Sequence, residues 1–301
     1  MQGYVATIGM FDGVHLGHQF VLHRVVDEAR KRGLQSLAIT FDRQQSTMLT
    51  TLEGKRRLIF QTGIDRTEVL PFTDELKQLT AQAFMEQVLK ARLGVKVLLI
   101  GYDNRFGHNR AEGFDDYVRY GQALGIEVIG LPPAPSEDRG DNVSSTLIRQ
   151  LLGEGRVAEA ATRLGYPYTI AGRVAHGEHV GTGLGFPTAN LTPDSSRQLI
   201  PAAGVYAVTV GLEGSSGQKL GMMNIGHRPT FDGRQQTLEV HIFGFSADLY
   251  GQPMSVSFIE RLREERRFDS PESLCEQLQQ DQLRAEQLLK ISQQINSKDE
   301  E

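Results

Sequence analysis

The sequence predicts two domains of different class. Residues 1–165 read as an α/β domain built on a parallel, doubly wound sheet. Residues 166–301 read as a mainly-β domain, a small antiparallel barrel followed by a C-terminal helix. Three observations carry this. Short apolar runs alternate with longer amphipathic ones through the first half, as strands buried on both faces do between helices. Beyond about residue 168, strand-like runs follow one another with only Gly, Pro and Asp turns between them. A length of 301 residues also suits roughly two domains.

The elements follow in order. "YVATIGMF" reads as a strand, and Val21, Leu22, Val25, Val26 and Ala29 then recur at helical spacing. Gly33 after "ARKR" is a helix stop. "LQSLAITF" (34–41) is the next strand. "LTAQAFMEQVLKARLG" (79–94) is helical, "VKVLLIG" (95–101) a strand, "GFDDYVRYGQALG" a helix and "IEVIGL" a strand. "PPAPSEDRGDN" (132–142) is a proline-rich, charged surface loop. "VSSTLIRQLLGEGRVAEAATRLG" holds two short helices. "YTIAGRVAHG", "GVYAVTVGLEG", "KLGMMNIG", "QTLEVHIFGF" and "MSVSFIERL" are the strands of the second domain. Ser270 as N-cap and Pro271 at the first helical position open a last helix. Leu274, Leu278, Ala285, Leu288 and Leu289 supply its apolar stripe, and "NSKDEE" is a frayed end.

Bulk properties narrow the function. Hydrophobic content of 39% and charged content of 23% describe a globular protein, and a net charge of -5 argues against a nucleic-acid partner. No apolar run approaches the ~18 residues of a membrane span, and the N-terminus lacks the pattern of a signal peptide. The single cysteine, Cys275, rules out an intrachain disulfide and fits a reducing compartment. The expectation is a cytoplasmic protein.

"GMFDGVHLGHQ" (9–19) concentrates chemistry. A strand ends at Gly9, Asp12, Gly13 and Gly17, and a helix begins near His18. Glycines admit a ligand close to the backbone, and a helix start offers free N–H groups and a positive dipole end. His15 and His18, three apart, can point the same way. A metal site, a structural turn and a phosphate cradle all remain open. A His-x-x-His pair alone is a poor zinc signature, and the loop is not of Walker type. Imidazoles over a phosphate can hydrogen-bond its oxygens as charge builds. "VSSTLIRQLL" offers a complement: Ser144, Ser145 or Thr146 can cap a helix, and Arg149 in the following turn can reach an anion with a planar fork of donors. An ordinary cap and a surface arginine explain the same residues.

These stretches resemble a family. "GMFDGVHLGH", "GYDNRFGHNRAEG" (101–113) and "VSSTLIR" (143–149) look like three successive motifs of the adenylyltransferase superfamily. The version is that of bacterial bifunctional riboflavin kinase/FAD synthetases. The resemblance implies a Rossmann-like nucleotidyltransferase fold in which the FMN phosphate attacks the α-phosphate of ATP and FAD and pyrophosphate leave. His15 and His18 would stabilise the transition state. Arg149 with Ser144, Ser145 and Thr146 would hold the ATP phosphates. Asp103 would line a nucleotide pocket bordered by Gly9, Phe11, Asp12 and Gly13. The family's second strand is usually followed by a loop with a His-Pro element that seats the flavin. Here only Gln44, Gln45, Ser46 and Thr47 separate the matching flanks "FDR" and "MLTTLEGK". Asn104 stands where an aromatic is common.

The second motif is "HGEHVGTGLGFPTANL" (176–191). Its glycines, Gly183 and Gly185 among them, can wrap phosphates through backbone N–H groups. Pro187 follows, and Thr188 and Asn190 share a face if the segment is extended. A hydroxyl and an amide oxygen are hard ligands suited to Mg²⁺ together with ATP oxygens. A plain glycine-rich hairpin loop is the alternative. Glu239 alternates with Leu238 and Val240 and shares its face with His241. It is either a solvent-side residue or a base for an alcohol attacking ATP. "LGFPTANL", "GVYAV", "MMNIGHRPTF", "LEVHIFGFSADLYG" and "RLREERRFDSPESL" are similar to the riboflavin kinase module. That likeness implies a six-stranded barrel, Thr188 and Asn190 on ATP-Mg²⁺, Glu239 as base for the riboflavin 5′-hydroxyl, and Arg263 and Glu265 on the flavin. Gly244 stands where many members have an acid. The implied function is conversion of riboflavin to FMN and FMN to FAD. The alternatives are a kinase whose shortened loop impairs adenylylation, or a non-catalytic flavin- or nucleotide-binding regulator.

Overall fold

The computed structural model describes residues 3–42, 47–102, 104–134, 143–175, 185–215, 217–230 and 233–296. Asp103, Gly183, the tail from residue 297 and most of the loops at 132–142 and 176–184 lie outside them. The chain divides into two compact units, Met1–Ser145 and Thr146–Glu301.

The first unit is a five-stranded sheet of β1 (Tyr4–Ile8), β2 (Gln35–Asp42), β3 (Arg66–Pro71), β4 (Val95–Ile100) and β5 (Glu127–Gly130). The order is β3-β2-β1-β4-β5, and every pairing is parallel. Alternation sorts the side chains to two faces. Ala6, Ile8, Leu37, Ile39, Leu98 and Ile100 join one core with Phe84, Met85, Leu89 and Tyr117. Val5, Ala38, Val97 and Leu99 join the other with Leu22, Val25 and Ile59. The sheet is thus doubly wound, and its order reverses beside β1, where such folds place ligands.

Helix α1 (Leu16–Arg32) ends on Gly33 in the left-handed region at φ 63°, as the sequence predicts. Three elements escape that reading: α2 (Leu52–Gln61), the edge strand β3 and a short helix at Asp74–Gln78. The single helix expected over 79–94 is a short α-helical turn, Ala81–Phe84, continuing as a π-helix, Met85–Arg92. A short α3 (Asp74–Gln78) precedes it; we number the Ala81–Phe84 turn α4 and Phe114–Leu124 α5.

In the second unit, α6 (Ser145–Gly153) and α7 (Val157–Leu164) lead into a closed antiparallel barrel. Its strands are β6 (Thr169–Ala175), β7 (Ala189–Pro193), β8 (Gly204–Leu212), β9 (Lys219–Thr230), β10 (Gly233–Ile242) and β11 (Pro253–Arg263), in the order β10-β7-β6-β11-β8-β9. The sequence reading lacked β7, so the six strands follow from the resemblance rather than from periodicity. Tyr168, Tyr206 and Phe258 are fully buried in it. Helix α8 (Pro271–Asn296) lays Ala285 and Leu288 against Val205, Ala207 and Leu262. Its N-terminus is capped as expected: Ser270 Oγ accepts from Ser273 N–H at 3.2 Å. Among the described residues no helix is long and apolar enough to cross a membrane.

Candidate active sites

The first site grows out of the C-terminal end of β1. The chain turns at Phe11, Gly13 and Val14, all at positive φ (47°, 80° and 35°). For a β-branched valine and a phenylalanine this is strained backbone, of the kind that persists where surroundings over-determine it. Here the surroundings are explicit. The Asp12 carboxylate accepts from Leu49 N–H at 3.0 Å and Thr50 N–H at 3.3 Å, and Gly13 N–H donates to Thr50 Oγ1 at 3.3 Å. Ser145 Oγ donates to the Asp12 carbonyl at 2.8 Å. Glycine suits position 9, because a Cβ would meet the buried Phe11 ring at 2.8 Å and force it to shift.

His15 is the N-cap of α1 and makes no side-chain cap hydrogen bond. Its ring stacks on that of His18, with centroids 3.6 Å apart and planes 20° from parallel, and the Phe11 ring meets His18 edge-on at 5.3 Å. Both Nδ1 atoms are buried without a hydrogen-bond partner. Burial lowers the His15 pKa to about 4. His18 lies well below the ordinary histidine range, through burial first and then the charges of His15 and Lys55. Both rings are therefore neutral at neutral pH. A helix N-terminus with two neutral imidazoles and unpaired ring nitrogens can take an anion.

Ser144 immediately precedes α6, and Arg149 lies one turn on from Ser145 along it; Thr146 is exposed. Asn104 fills the place of the expected aromatic by donating from Nδ2 to the Ile8 carbonyl at the end of β1. Tyr117 braces the same loop: its hydroxyl accepts from Phe106 N–H at 3.0 Å and its ring stacks on Phe106 at 4.3 Å. Residues 43–46, where the resemblance implies a flavin loop, are outside the described residues.

The second site lies on one face of the barrel wall. Glu239 of β10 pairs in register with Asn190 of β7 on one side and with Asn224 of β9 on the other. Directly paired residues project to the same face, opposite the buried Leu238 and Val240. His241, two residues on, reaches the Pro187 carbonyl through Nδ1 at 2.8 Å, which ties the segment carrying Thr188 and Asn190 to β10. Gly185, at φ 80°, opens that segment. Glu265 enters the same cluster from beyond β11: its Oε1 stands 2.6 Å from where a Gly226 Cβ would be, with Asn224 Nδ2 at 3.2 Å and Thr237 Oγ1 at 3.4 Å. Sequence reasoning missed Asn224 and Thr237; only the strand register reveals them. Arg263 has a different neighbourhood. Its Nε and Nη2 both reach Asp281 Oδ2 at 2.8 Å, and Asp281 is only 4% exposed. This ion pair joins β11 to α8.

A phosphate-competent turn at a sheet switch point, in a chain that also carries a carboxylate flanked by amides on a barrel face, is equipment for nucleotide-dependent group transfer. Known proteins agree. Residues 1–147 match the FAD synthetase family model and residues 164–289 the riboflavin kinase model. A bifunctional riboflavin kinase/FMN adenylyltransferase of Escherichia coli (strain K12) is 37% identical over 97% of this chain and 94% of its own length. That of Pseudomonas fluorescens is 38% identical over 91% and 89%. A crystal structure from Streptococcus pneumoniae, described as a macrolide-efflux protein, superposes with a TM-score of 0.84 at 32% identity, over 94% of this chain and 93% of that one. The chain belongs to the bifunctional riboflavin kinase/FMN adenylyltransferase family, whose members are transferases.

Proposed function

We propose that the chain makes FAD in two ATP-dependent steps, with the kinase reaction in residues 166–301 and the adenylyl transfer in residues 1–165. In the first step riboflavin and ATP give FMN and ADP. Glu239 accepts the proton of the riboflavin 5′-hydroxyl as its oxygen attacks the γ-phosphorus. A loose phosphoryl transfer state asks little activation of the nucleophile, so a carboxylate suffices as base. Gly183, Gly185 and Pro187 border the nucleotide, and Glu265 orients the flavin. Arg263, paired with Asp281, holds the corner from which Glu265 projects. Thr188 and Asn190 offer two neutral oxygens beside a carboxylate, a donor set that fits Mg²⁺ carried by ATP. Bound there, the ion neutralises charge on the phosphates.

In the second step an FMN phosphate oxygen attacks the α-phosphorus of ATP, and the bond to the departing pyrophosphate breaks. The N-terminus of α1 and neutral His15 and His18 donate to the phosphate oxygens, with Ser144 and Ser145 adding donors; the family resemblance gives Thr146 and Arg149 the same role. Gly9, Phe11, Asp12 and Gly13 shape the turn, and Asp103 borders the adenosine. Asp12 acts through the backbone, since its carboxylate receives Leu49 and Thr50.

The observation that carries this reading is the pair of unpaired, buried imidazole nitrogens stacked at a strained turn. Riboflavin, FMN, FAD and ATP are the ligands, and the cytoplasm is the compartment that suits a chain with one cysteine. Chromatography of the flavins tests the reading. Incubation with riboflavin, ATP and Mg²⁺ should yield FMN and then FAD, and incubation with FMN should yield FAD. FMN without FAD would contradict the adenylyl transfer, and no product in either tube would contradict both.

A further inference from the structure

Lys55 has no part in the chemistry assigned above, yet its position is unusual for a lysine. It is the fourth residue of α2 and is only 6% exposed. Side chains lean toward the N-terminus of their helix. The chain entering α2 is the stretch clamped to the first site, through Leu49 and Thr50 on Asp12 and Thr50 Oγ1 under Gly13 N–H. Lys55 is therefore directed back toward the Phe11–Val14 turn. Its charge is also one of the two that depress His18, and those of Asp12 and Asp42 act on it in turn. Burial lowers its own pKa from the ordinary lysine value.

Among the described residues, no carboxylate oxygen lies within 4.0 Å of the Lys55 ammonium and no hydrogen bond engages it. Although the residue as a whole is buried, its ammonium is not sealed from solvent, so a ligand can reach it, and proteins put such half-buried cations to use. The Nδ1 atoms of His15 and His18 are buried and unpaired, and the Lys55 charge acts on His18. An anion at this turn would answer both the imidazoles and the cation.

We infer that the Lys55 ammonium is a further phosphate-binding group of the first site, holding a phosphoryl oxygen beside His18. The inference rests on the adenylyl-transfer reading for the identity of the phosphate, which is either ATP or FMN. Charge on Lys55 draws the phosphate against the two neutral imidazoles, which then donate to it.

Lys55→Met keeps the length of the side chain and suits a buried position; Lys55→Arg keeps the charge. Both are made in the full chain. FAD formation is measured with ATP varied at saturating FMN, and then with FMN varied at saturating ATP. Hydrogen exchange of the β1 amides reports folding of the first unit, the kinase reaction of the same preparation reports the second, and inorganic pyrophosphate is titrated by calorimetry. Lys55→Met should lose on the order of 10- to 100-fold in kcat/KM for FAD, with FMN formation within about twofold of the parent, and Lys55→Arg should recover most of it. A raised KM for ATP with weakened pyrophosphate binding places the oxygen on ATP. A raised KM for FMN with pyrophosphate binding intact places it on FMN. FAD formation by Lys55→Met within about threefold of the parent would overturn the inference, and so would equal loss in Lys55→Arg. A parent that makes no FAD, yet binds pyrophosphate in a Lys55-dependent way, would sink the adenylyl-transfer reading and leave the anion site standing.

Discussion

Replacing His15 by asparagine should remove a defined part of the acid sensitivity of the first unit. The His15 ring is 6% exposed and its nitrogen Nδ1 is unpaired, so burial lowers its pKa from 6.5 to about 4. In the unfolded chain the same group titrates near its ordinary value. On acidification the unfolded state therefore binds the proton first. The stability tied to a neutral His15 is fully present above pH 6.5, and it is lost as the pH falls toward about 4. The full lowering corresponds to about 3 kcal/mol, of which roughly 2.5 kcal/mol disappears between about pH 7.5 and 4.5. Native-state hydrogen exchange of the β1 amides at the two pH values measures it. The loss of stability should be about 2.5 kcal/mol smaller in His15→Asn than in the parent. Equal losses within about 0.5 kcal/mol would refute the claim that the ring is held neutral by burial. Pyrophosphate gives a second reading, since an anion on the imidazoles favours their protonated form. Its addition should reduce the acid sensitivity of the parent by more than that of the variant, which keeps only His18.

Three further outcomes are expected. Asp281→Ala strands Arg263 beside α8; Arg263 Nη1 keeps the Glu264 carbonyl, so the cost falls at the low end for a broken buried pair, about 3 kcal/mol. Calorimetry should show the second unit melting roughly 6–12 °C lower, the double change Arg263→Met/Asp281→Leu should restore most of it, and a shift below about 2 °C would contradict the role. Gly9→Ala drives a methyl into Phe11, which should cost about 1–3 kcal/mol and slow FAD formation while FMN formation continues at the parent rate. Asn224→Ala removes the in-register neighbour of Glu239 and should lower kinase kcat about tenfold without affecting conversion of supplied FMN; an unchanged kcat would show that Asn224 only fills the wall.

Much of the architecture was legible because burial on both faces leaves near-continuous apolar runs. "LQSLAITF" and "VKVLLIG" are central strands, and nothing else in the first half reads so plainly. The edge strand β3, "RTEVLP", pairs on one side only, carries Arg66 and Glu68, and ends on a proline, so no run announces it. Helix α2 was hidden by Gly54 and a Lys-Arg-Arg run that reads as a solvated face, the same reason Lys55 drew no attention. β7, "ANLTP", is short and half polar because it carries Asn190 into the site. His15 and His18 drew attention because chemistry-bearing residues cluster along the chain; alternation left Glu239 a solvent-side residue or a base, and only the resemblance singled out the base. Asn224 reaches Glu239 only through strand register, and Asp281 meets Arg263 across 18 positions; neither relation leaves a local signal. The resemblance supplied Arg263 and Glu265, and the fold gives each a distinct setting.

Two reactions at two separate sites is the central claim, and a crossed pair of substitutions tests it most directly. His18→Ala and Glu239→Gln are each incubated with riboflavin and ATP, and separately with FMN and ATP, and the flavins are resolved over time. The expected result is reciprocal. His18→Ala accumulates FMN from riboflavin and makes little FAD from either substrate. Glu239→Gln makes no FMN from riboflavin but converts supplied FMN to FAD at the parent rate. Loss of both activities in either protein, or of neither, would contradict the division of labour on which the whole reading stands.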